Sequence, residues 1–326
     1  MKKALAAVWL LVLLLVLNGC TKATPAVKSA PSRDAPIVVG FSQVGTESNW
    51  RNTNTASVTQ ALSEEKGYRL LFDDAQQLHD KQLRAIRDFI RQRVDYIVVA
   101  PVAEQGWDDV LAEAREAGIP VIIMDRMVEV QDEDLFTCWI GANAERESAQ
   151  AVLWMESQFD GTPLRIAHLQ GTLGSTTQLG RTAALEESLA MHPEWTLACR
   201  GSGNFTRNQG QELIRGLLRD GGEVDLIFAE NDDMAYGAID ALEEAGLKPG
   251  EDVVILSFGG SLHALTLVME GKINYVVECS PLHGPRIEAI IQQLEVGEAP
   301  PKYTYVDGTT FDQASVTQEL LDSREY

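Results

Sequence analysis

The feature that most constrains this chain of 326 residues is an alternation of short apolar runs with segments of helical periodicity, which occurs twice. In the first half, β-branched apolar runs alternate with helical segments: runs at 37–41, 68–72, 96–100, 121–124 and 136–140, and segments at 53–66, 81–92, 106–117 and 144–158. In the second half, the same alternation continues: runs at 164–169, 196–199, 226–229, 253–256, 274–277 and 303–306, and segments at 178–191, 208–219, 233–245 and 285–294. Runs that are apolar throughout indicate strands buried on both faces, and right-handed crossovers make such sheets parallel. The sequence therefore predicts an α/β protein with two doubly wound parallel-sheet domains.

The N-terminus has the pattern of an export signal. Two lysines precede an apolar run from Ala4 to Leu17, which is short for a membrane span, and Asn-Gly leads from the run to Cys20. This junction is similar to a bacterial lipobox. We predict a signal peptide over 1–19, a lipid on Cys20 and a flexible, proline-rich tether over 20–35. The alternative is an uncleaved anchor helix; in either case we expect the folded part outside the cytoplasm and attached to the cell membrane.

Charge and cysteine content exclude several classes of protein. Lys and Arg total 27 against 48 Asp and Glu, a formal charge of −21, so a nucleic-acid partner is not expected. Beyond the proposed lipidation site, Cys138, Cys199 and Cys279 form an odd set that allows at most one intramolecular disulfide. Whether any two of them pair stays open. Because Cys-x-x-Cys spacing is absent from the sequence, we expect no metal site.

Polar residues at the ends of the predicted strands indicate where a ligand binds, because the crevice of an open parallel sheet lies at the carboxyl ends of its strands. Asp125 and Arg126 follow one strand and offer a carboxylate beside a guanidinium, a pair suited to neighbouring hydroxyls of a sugar. Asn231 follows another strand as a ligand candidate, and Asp233 is expected to cap the next helix. A strand-end ion pair with only a structural role is the alternative. The sequence has no Gly-rich phosphate loop, so we expect no nucleotide or other cofactor.

Two aromatic residues strengthen the indication of a carbohydrate site. Trp50 and Phe205 follow strand ends in different halves of the chain, and an aromatic face packs well against the apolar C–H face of a sugar ring. One ring from each half is what two sides of a cleft would supply, although each ring can also serve as core cover. Glu47, Arg51 and Arg181 are further candidates that can equally be solvated surface charges.

Together these residues resemble the ribose- and galactofuranose-binding proteins of ABC importers. The motifs that carry the resemblance are Phe41-Ser42-Gln43-Val44-Gly45 with Glu47 and Trp50-Arg51, Met124-Asp125-Arg126, Leu169-Gln170-Gly171-Thr172 with Arg181, Gly203-Asn204-Phe205-Thr206-Arg207, and Asn231-Asp232-Asp233-Met234. The resemblance extends from about Pro36 to the C-terminus and implies a type I periplasmic-binding fold with three chain crossings between lobes. The implied N-terminal lobe comprises 36–141 and 279–302, and the implied C-terminal lobe comprises 142–278 and 303–326.

The resemblance also implies a set of ligand-binding residues. Trp50 and Phe205 would stack on the sugar ring. The implied polar set is Glu47, Arg51, Asp125, Arg126, Arg181, Asn204, Asn231 and Glu278. The sequence departs from the family at Gly259, where the family usually has an aspartate that accepts a hydroxyl. The identity and ring form of the sugar therefore stay open.

The function that the resemblance implies is capture of a monosaccharide, galactofuranose- or ribose-like, and its delivery to the permease and ATPase of an ABC importer. The alternative is a sugar-sensing subunit for a membrane histidine kinase or chemoreceptor, which the sequence does not distinguish. A glycosidase that uses Asp125 with Glu278 or Asp232 is a third possibility. Because the sequence contains no recognisable catalytic motif, we expect a binding protein rather than an enzyme. The oligomeric state stays open.

Overall fold

Two six-stranded sheets organise the computed structural model, which describes residues 35–326. The predicted signal peptide, Cys20 and nearly all of the predicted tether lie outside the described residues. The twelve strands of the described part are β1 (Ile37–Gln43), β2 (Tyr68–Asp74), β3 (Tyr96–Val99), β4 (Val121–Met124), β5 (Cys138–Gly141), β6 (Leu164–Gln170), β7 (Trp195–Ser202), β8 (Leu226–Ala229), β9 (Val254–Gly259), β10 (Tyr275–Glu278), β11 (Tyr303–Tyr305) and β12 (Thr310–Asp312).

The helices lie between these strands in the alternation that the sequence predicts. The α-helices of the described part are α1 (Asn49–Ala61), α2 (His79–Gln92), α3 (Asp108–Glu116), α4 (Ala144–Phe159), α5 (Thr176–Met191), α6 (Arg207–Arg219), α7 (Asp232–Glu244), α8 (Leu262–Met269), α9 (Gly284–Glu295) and α10 (Gln318–Ser323). Short 3-10 turns occur at Glu64–Lys66 and Glu133–Leu135.

The strand order confirms the predicted doubly wound architecture, with one local exception. The first sheet has the order β11-β5-β4-β3-β1-β2, the second has the order β12-β10-β9-β8-β6-β7, and neighbouring strands are parallel except at one edge. There β12 runs antiparallel to β10, so the expectation of an entirely parallel sheet is wrong for this edge strand. The chain reaches β12 after only a short connection from the other sheet, which cannot provide the long crossover that a parallel strand needs.

The chain passes between the lobes three times, as the resemblance implies. It crosses after β5, after β10 and between β11 and β12. β11 pairs with β5, with Tyr303 opposite Trp139, and therefore belongs to the first sheet. The sequence-based limit had assigned 303–326 to the second lobe, so in the structure that limit moves to the segment that follows Tyr305.

Side chains of single strands alternate between two apolar clusters, as expected for sheets covered on both faces. Val98 of β3 packs into a cluster with Phe41, whereas its neighbours Ile97 and Val99 pack into another with Trp107, and all five are completely buried. The second sheet likewise separates two clusters. This burial explains why the strands read as continuous apolar runs.

Local capping signals determine where the helices that carry the site begin. The Ser48 hydroxyl accepts a hydrogen bond from the Arg51 amide at 3.1 Å, so α1 begins at Asn49, four residues before the predicted start. Trp50 and Arg51 therefore lie in the first helical turn rather than in a loop. Ser261 caps α8, a helix that the sequence analysis did not identify, in the same way.

Two further observations bear on sequence-based expectations. Within residues 35–326, no helix is both long enough and apolar enough to cross a membrane. The three described cysteines are free thiols: Cys138 and Cys279 are buried and Cys199 is partly buried.

Candidate functional site

A cavity lies between the two lobes, where the carboxyl ends of both sheets face each other. Its walls come from Glu47, Ser48, Trp50, Arg51, Asp125, Arg126, Thr177, Arg181, Phe205, Asn231, Phe258 and Cys279. Eight of the ten sequence-predicted ligand residues therefore line one cavity.

The first lobe contributes a buried cluster of four charged side chains. Arg51 Nε lies 3.1 Å from Glu47 Oε1, and Arg51 Nη2 lies 2.7 Å from Asp125 Oδ2. Arg126 Nη2 lies 3.8 Å from the same Glu47 oxygen, beyond hydrogen-bond range. The side chains of Glu47, Arg51 and Arg126 are 1%, 4% and 2% exposed, so these groups are not solvated surface charges.

Burial and mutual interaction shift the ionisation of this cluster. Burial by itself raises the pKa of Asp125, but the neighbouring guanidinium groups of Arg51 and Arg126 outweigh it and lower the pKa. The pKa of Arg126 falls to about 10, because its guanidinium is buried and lies near the like charge of Arg51. Asp125 and Arg126 are therefore charged at neutral pH, in a place where water screens them little.

Three buried atoms of this cluster make no hydrogen bond to a described residue. Asp125 Oδ2 has Arg51 Nη2 as an ion-pair partner at 2.7 Å, whereas Glu47 Oε2 and Arg126 Nη2 have no partner that close. Buried polar groups nearly always make a hydrogen bond, and a buried donor or acceptor left without one costs about 1–3 kcal/mol. The cluster thus offers one strong acceptor and one strong donor toward a polar ligand.

The second lobe contributes Arg181, which is fixed by groups behind the cavity. Arg181 Nη2 lies 2.7 Å from Glu147 Oε2, and Arg181 Nη1 donates to the Glu230 carbonyl. Its guanidinium lies over the Phe258 ring, 4.6 Å from the centroid. Arg181 Nε is buried and unpaired, so this side chain also retains a donor.

Aromatic rings from both lobes line the cavity. The Trp50 indole nitrogen donates to the Cys279 carbonyl at 2.6 Å, which ties α1 to the second chain crossing. Phe205 lies in a loop with φ 62°, a strained conformation for a residue with a side chain, and its ring lies 5.5 Å from the Arg126 guanidinium of the other lobe. The rings therefore present flat apolar faces beside the charged groups.

Asn231 lines the cavity, but it also has the capping role that the sequence analysis gave to Asp233. Its Oδ1 accepts from the Met234 amide at 2.9 Å, and its Nδ2 donates to the Phe205 carbonyl at 2.9 Å. The prediction that Asp233 caps α7 is wrong. Asp233 instead accepts two hydrogen bonds from Asn49 of the other lobe, at 2.9 and 3.0 Å.

Two residues of the implied ligand set lie outside the cavity. Asn204 donates to Gln209 and accepts from Ser202, so its amide is used within its own loop. Glu278 lies 2.7 Å from an Arg324 nitrogen and accepts from the Tyr326 hydroxyl at 3.0 Å. The structure does not bring either side chain to the cavity: the Asn204 amide is used by its own loop, and the Glu278 carboxylate is used by the C-terminal segment.

Gly259 also differs from what the resemblance implies. A Cβ on Gly259 would lie 2.5 Å from Asp232 Oδ2, and the residue has φ 146°. The Asp232 carboxylate accepts from Ser257 Oγ at 2.6 Å and from the Gly260 amide at 2.9 Å. Gly259 itself does not line the cavity, because Asp232 fills the space that a side chain there would need.

Sequence reasoning missed four residues that line the cavity: Ser48, Thr177, Phe258 and Cys279. Phe258 stands directly before Gly259 at a strand end, so the strand-end rule could have found it. Ser48 and Thr177 lie at helix N-termini beside predicted residues, which is a weaker signal. Among residues 35–326, no three His, Cys, Asp or Glu side chains are grouped so that they could hold a metal ion.

A polar cavity closed between two α/β lobes, with three chain crossings beside it, defines a two-lobed solute-binding protein. Residues 38–284 match the family model described as periplasmic binding protein domain, and the chain belongs to this family. The family resemblance found in the sequence is thus confirmed. Proteins of this family are extracytoplasmic, which agrees with the predicted side of the membrane.

Individual relatives support this assignment over most of the chain. The galactofuranose-binding protein YtfQ of Escherichia coli K12 is 35% identical over 302 residues, which cover 91% of this chain and 95% of the relative. A Mycobacterium smegmatis structure in complex with β-D-fucofuranose has TM-score 0.85 and 38% identity, and covers 89% of this chain and 95% of that one. The binding component of the arabinose ABC transporter from Shewanella sp. ANA-3, bound to α- and β-L-arabinofuranose, has TM-score 0.83 and 37% identity over 88% of this chain and 95% of that one. The chain is a solute-binding protein rather than an enzyme.

Proposed function

We propose that this protein captures a single monosaccharide in furanose form between its lobes and delivers it to an ABC importer. The observation that carries the proposal is the cavity itself, in which buried donors and acceptors face flat aromatic rings. Sugar hydroxyls both donate and accept, so they can satisfy the Glu47 oxygen and the guanidinium nitrogens together. The ring faces of Trp50, Phe205 and Phe258 suit the C–H faces of a sugar.

The furanose form is supported by the relatives. The Mycobacterium smegmatis and Shewanella proteins were solved with furanoses, and the Escherichia coli relative is named for galactofuranose. A furanose is more compact around its ring than a pyranose and projects an exocyclic chain from it. A ligand class of this kind, galactofuranose- or arabinofuranose-like, suits the charged and aromatic lining of the cavity.

The partners in import are the permease and ATPase subunits of an ABC importer. This part of the proposal is supported by the Shewanella relative, which is the periplasmic binding protein component of an arabinose ABC transporter. Delivery requires the lobes to separate at the permease, and the three chain crossings provide a hinge for that motion.

Attachment to the membrane is proposed from the sequence alone. The charged start, the short apolar run and Cys20 support cleavage after residue 19 and lipid attachment to the thiol. Metabolic labelling with a radioactive fatty acid tests this directly. We expect the wild-type chain to take up label and Cys20→Ser to take up none; equal labelling of both would contradict lipidation.

Ligand-dependent melting of the purified protein tests the sugar proposal. A ligand that binds only the folded state raises the melting temperature. At a ligand concentration of one hundred times Kd it adds about 2.7 kcal/mol to the free energy of unfolding. We expect a rise with a subset of D-galactose, D-fucose, L-arabinose, D-ribose and D-fructose. Methyl furanosides and methyl pyranosides of the best sugar then distinguish the ring forms. A flat response across the whole panel would contradict sugar capture.

A matched pair of variants tests whether the described cavity is the binding site. Arg126→Lys keeps the charge but loses the planar guanidinium, and we expect at least about tenfold weaker binding by calorimetry. Asn204→Ala is the control, because the Asn204 amide bonds within its own loop. Equal losses for the two variants would place the sugar elsewhere.

A further inference from the structure

We infer that Gly171 is a specificity-determining residue. Because it has no side chain, the Phe205 ring can pack against its backbone, and the position of that ring sets the depth of the sugar cavity. The inference rests on the proposed function and adds a residue to it. A Cβ built on Gly171 would lie 1.9 Å from Cζ of Phe205 and 2.2 and 2.5 Å from its two Cε atoms. The Phe205 ring therefore lies directly on the Gly171 backbone, and no larger residue fits beneath it.

The backbone beneath the ring is held firmly and cannot recede. The Gly171 amide donates to Glu230 Oε2 at 2.7 Å. Glu230 is completely buried, and its other oxygen accepts from Thr182 Oγ1 at 2.9 Å and lies 2.9 Å from His168 Nε2. Two further partners thus fix the carboxylate that holds the Gly171 amide.

The ring itself is held on its remaining sides. Its residue is in the strained left-handed region at φ 62°, and the Asn231 side chain binds its carbonyl at 2.9 Å. Above the ring stands the Arg126 guanidinium of the other lobe, 5.5 Å from the centroid. Because Phe205 lines the cavity, a ring pushed away from Gly171 moves toward Arg126 and into the cavity.

A side chain at position 171 would therefore make the cavity shallower. Carbon atoms pack at about 3.5–4.0 Å, so an alanine methyl must displace the ring by more than 1 Å, or about one bond length. The displaced ring would occupy space near Arg126. A hexofuranose with a two-carbon exocyclic chain needs more of this space than a pentofuranose does. Gly171→Ala should therefore lower affinity for the best-bound hexose more than for the best-bound pentose.

A double-mutant cycle in the full chain tests the inference. Phe205→Leu lacks the Cζ and Cε atoms that overlap the added methyl. We expect Gly171→Ala alone to weaken binding of the best hexose at least about tenfold, and to weaken it less than about threefold in the Phe205→Leu background. The hexose-to-pentose affinity ratio should fall in Gly171→Ala and return toward the Phe205→Leu value in the double variant.

Two glycines serve as controls. A Cβ on Gly216, within α6, meets nothing within 4 Å, so Gly216→Ala should leave affinity unchanged and raise the melting temperature slightly, because alanine favours a helix more than glycine does. A Cβ on Gly201 would lie 2.6 Å from Leu213 away from the cavity, so Gly201→Ala should lower stability with an unchanged sugar preference.

The outcomes separate this inference from the proposed function. If wild-type protein binds no sugar, the proposed function fails and the inference falls with it. If wild-type protein binds sugar but Gly171→Ala keeps its hexose-to-pentose ratio, or loses affinity equally in both backgrounds, only the inference is overturned. Should Gly171→Ala not fold, the double variant must fold, because it lacks the overlap; its failure to do so also overturns the inference.

Discussion

At the scale of single residues, the cavity concentrates backbone strain and buried charge. Asp125 and Phe205 have φ 65° and 62°, in a region that residues with side chains seldom adopt, and both line the cavity. Such conformations persist only where surrounding contacts enforce them, at a cost of about 1–3 kcal/mol each. The strain directs a carboxylate and an aromatic ring toward the same space from opposite lobes.

Replacing Asp125 with asparagine should uncouple the buried charge cluster. The change removes the charge that lies 2.7 Å from Arg51 and leaves that guanidinium with Glu47 as its remaining carboxylate partner. We expect the free energy of unfolding to fall by up to about 3 kcal/mol, because an uncompensated buried charge is costly. Denaturant unfolding measures this, and calorimetry measures the accompanying loss of sugar affinity.

The control for Asp125→Asn is an exposed ion pair. Arg87 and Glu113 lie 2.8 Å apart with side chains 37% and 43% exposed, so Glu113→Gln should cost less than about 1 kcal/mol. Similar losses of unfolding free energy for both variants would mean that burial does not increase the contribution of the Arg51–Asp125 pair to stability.

Gly259→Asp is expected to destabilise the protein rather than restore a ligand contact. The new Cβ would lie 2.5 Å from Asp232 Oδ2, and the new carboxylate would repel the existing one. We expect a melting temperature several degrees lower, since about 1 kcal/mol shifts a domain of this size by roughly 2–4 °C. Differential scanning calorimetry measures the shift. Gly259→Ala separates the steric part from the charge, and a stable Gly259→Asp protein with tighter sugar binding would refute this account.

At the scale of elements, the first turn of α7 performs three tasks with three successive residues. Asn231 caps the helix, Asp232 holds the Gly260 amide beyond β9, and Asp233 reaches Asn49 of the other lobe. One helix N-terminus thereby connects the cavity wall, its own lobe and the opposite lobe. The positive end of the helix dipole favours carboxylates at such a position.

The stability change caused by Asp233→Asn should depend on pH. Burial raises the pKa of Asp233 from 3.8 to about 6, so its ionisation opposes folding. The contribution of Asp233 is therefore most favourable below pH 4 and is lost as pH rises through 6. We therefore compare the free energy of unfolding of Asp233→Asn with that of wild type. The value for the variant minus the value for wild type should rise by up to about 3 kcal/mol between pH 4 and pH 7. Urea unfolding at several pH values measures the difference.

An aspartate with the opposite shift provides the control for this pH series. A hydrogen bond from Arg165 lowers the pKa of Asp225, so its stabilising contribution is present at neutral pH and is lost as pH falls. The difference between Asp225→Asn and wild type should therefore change with pH in the reverse direction. A flat Asp233→Asn series would show that the carboxyl group is not desolvated in the folded protein.

At the scale of the whole molecule, the two lobes are bonded across the cleft on both sides of the cavity. Asn49 donates twice to Asp233 on one side, and on the other the Met127 amide donates to Thr176 Oγ1 at 3.0 Å. These bonds join surfaces that separate when the lobes open. They stabilise the closed arrangement of the lobes and do not contribute to the folding of either lobe by itself.

Weakening both interlobe contacts should favour the open arrangement. Asn49→Ala deletes the side-chain amide donor, one of the two Asn49 hydrogen bonds to Asp233, and Thr176→Val deletes the Thr176 acceptor, while the cavity side chains stay in place. Sugar affinity should fall by about tenfold, because binding must then supply about 1–2 kcal/mol for closure. Small-angle scattering should give a larger radius of gyration for the sugar-free variant, and saturating sugar should restore the wild-type value. An unchanged radius with unchanged affinity would show that these bonds do not influence closure.

Some of the site could be predicted from the sequence because strand ends identify it without knowledge of packing. Asp125, Arg126 and Asn231 were found by the rule that ligands bind at the carboxyl ends of parallel strands, and all three line the cavity. Asn204, which the family resemblance implied, also follows the end of a strand, but its side chain is used by its own loop. The rule locates a Cα at the cleft but does not determine the direction of the side chain.

The sequence by itself determined the alternation of strands and helices, because apolar runs and helical periodicity are local properties that each segment carries. It also determined the two-sheet architecture, since strands that are apolar on both faces must be covered on both faces. Only the tertiary structure decided that Asp232 fills the place of a side chain at Gly259, that Glu278 binds the C-terminal segment, and that Phe205 lies on Gly171. Each of these depends on which atoms from distant parts of the chain compete for one small space, and such competition has no counterpart in a local pattern of residues.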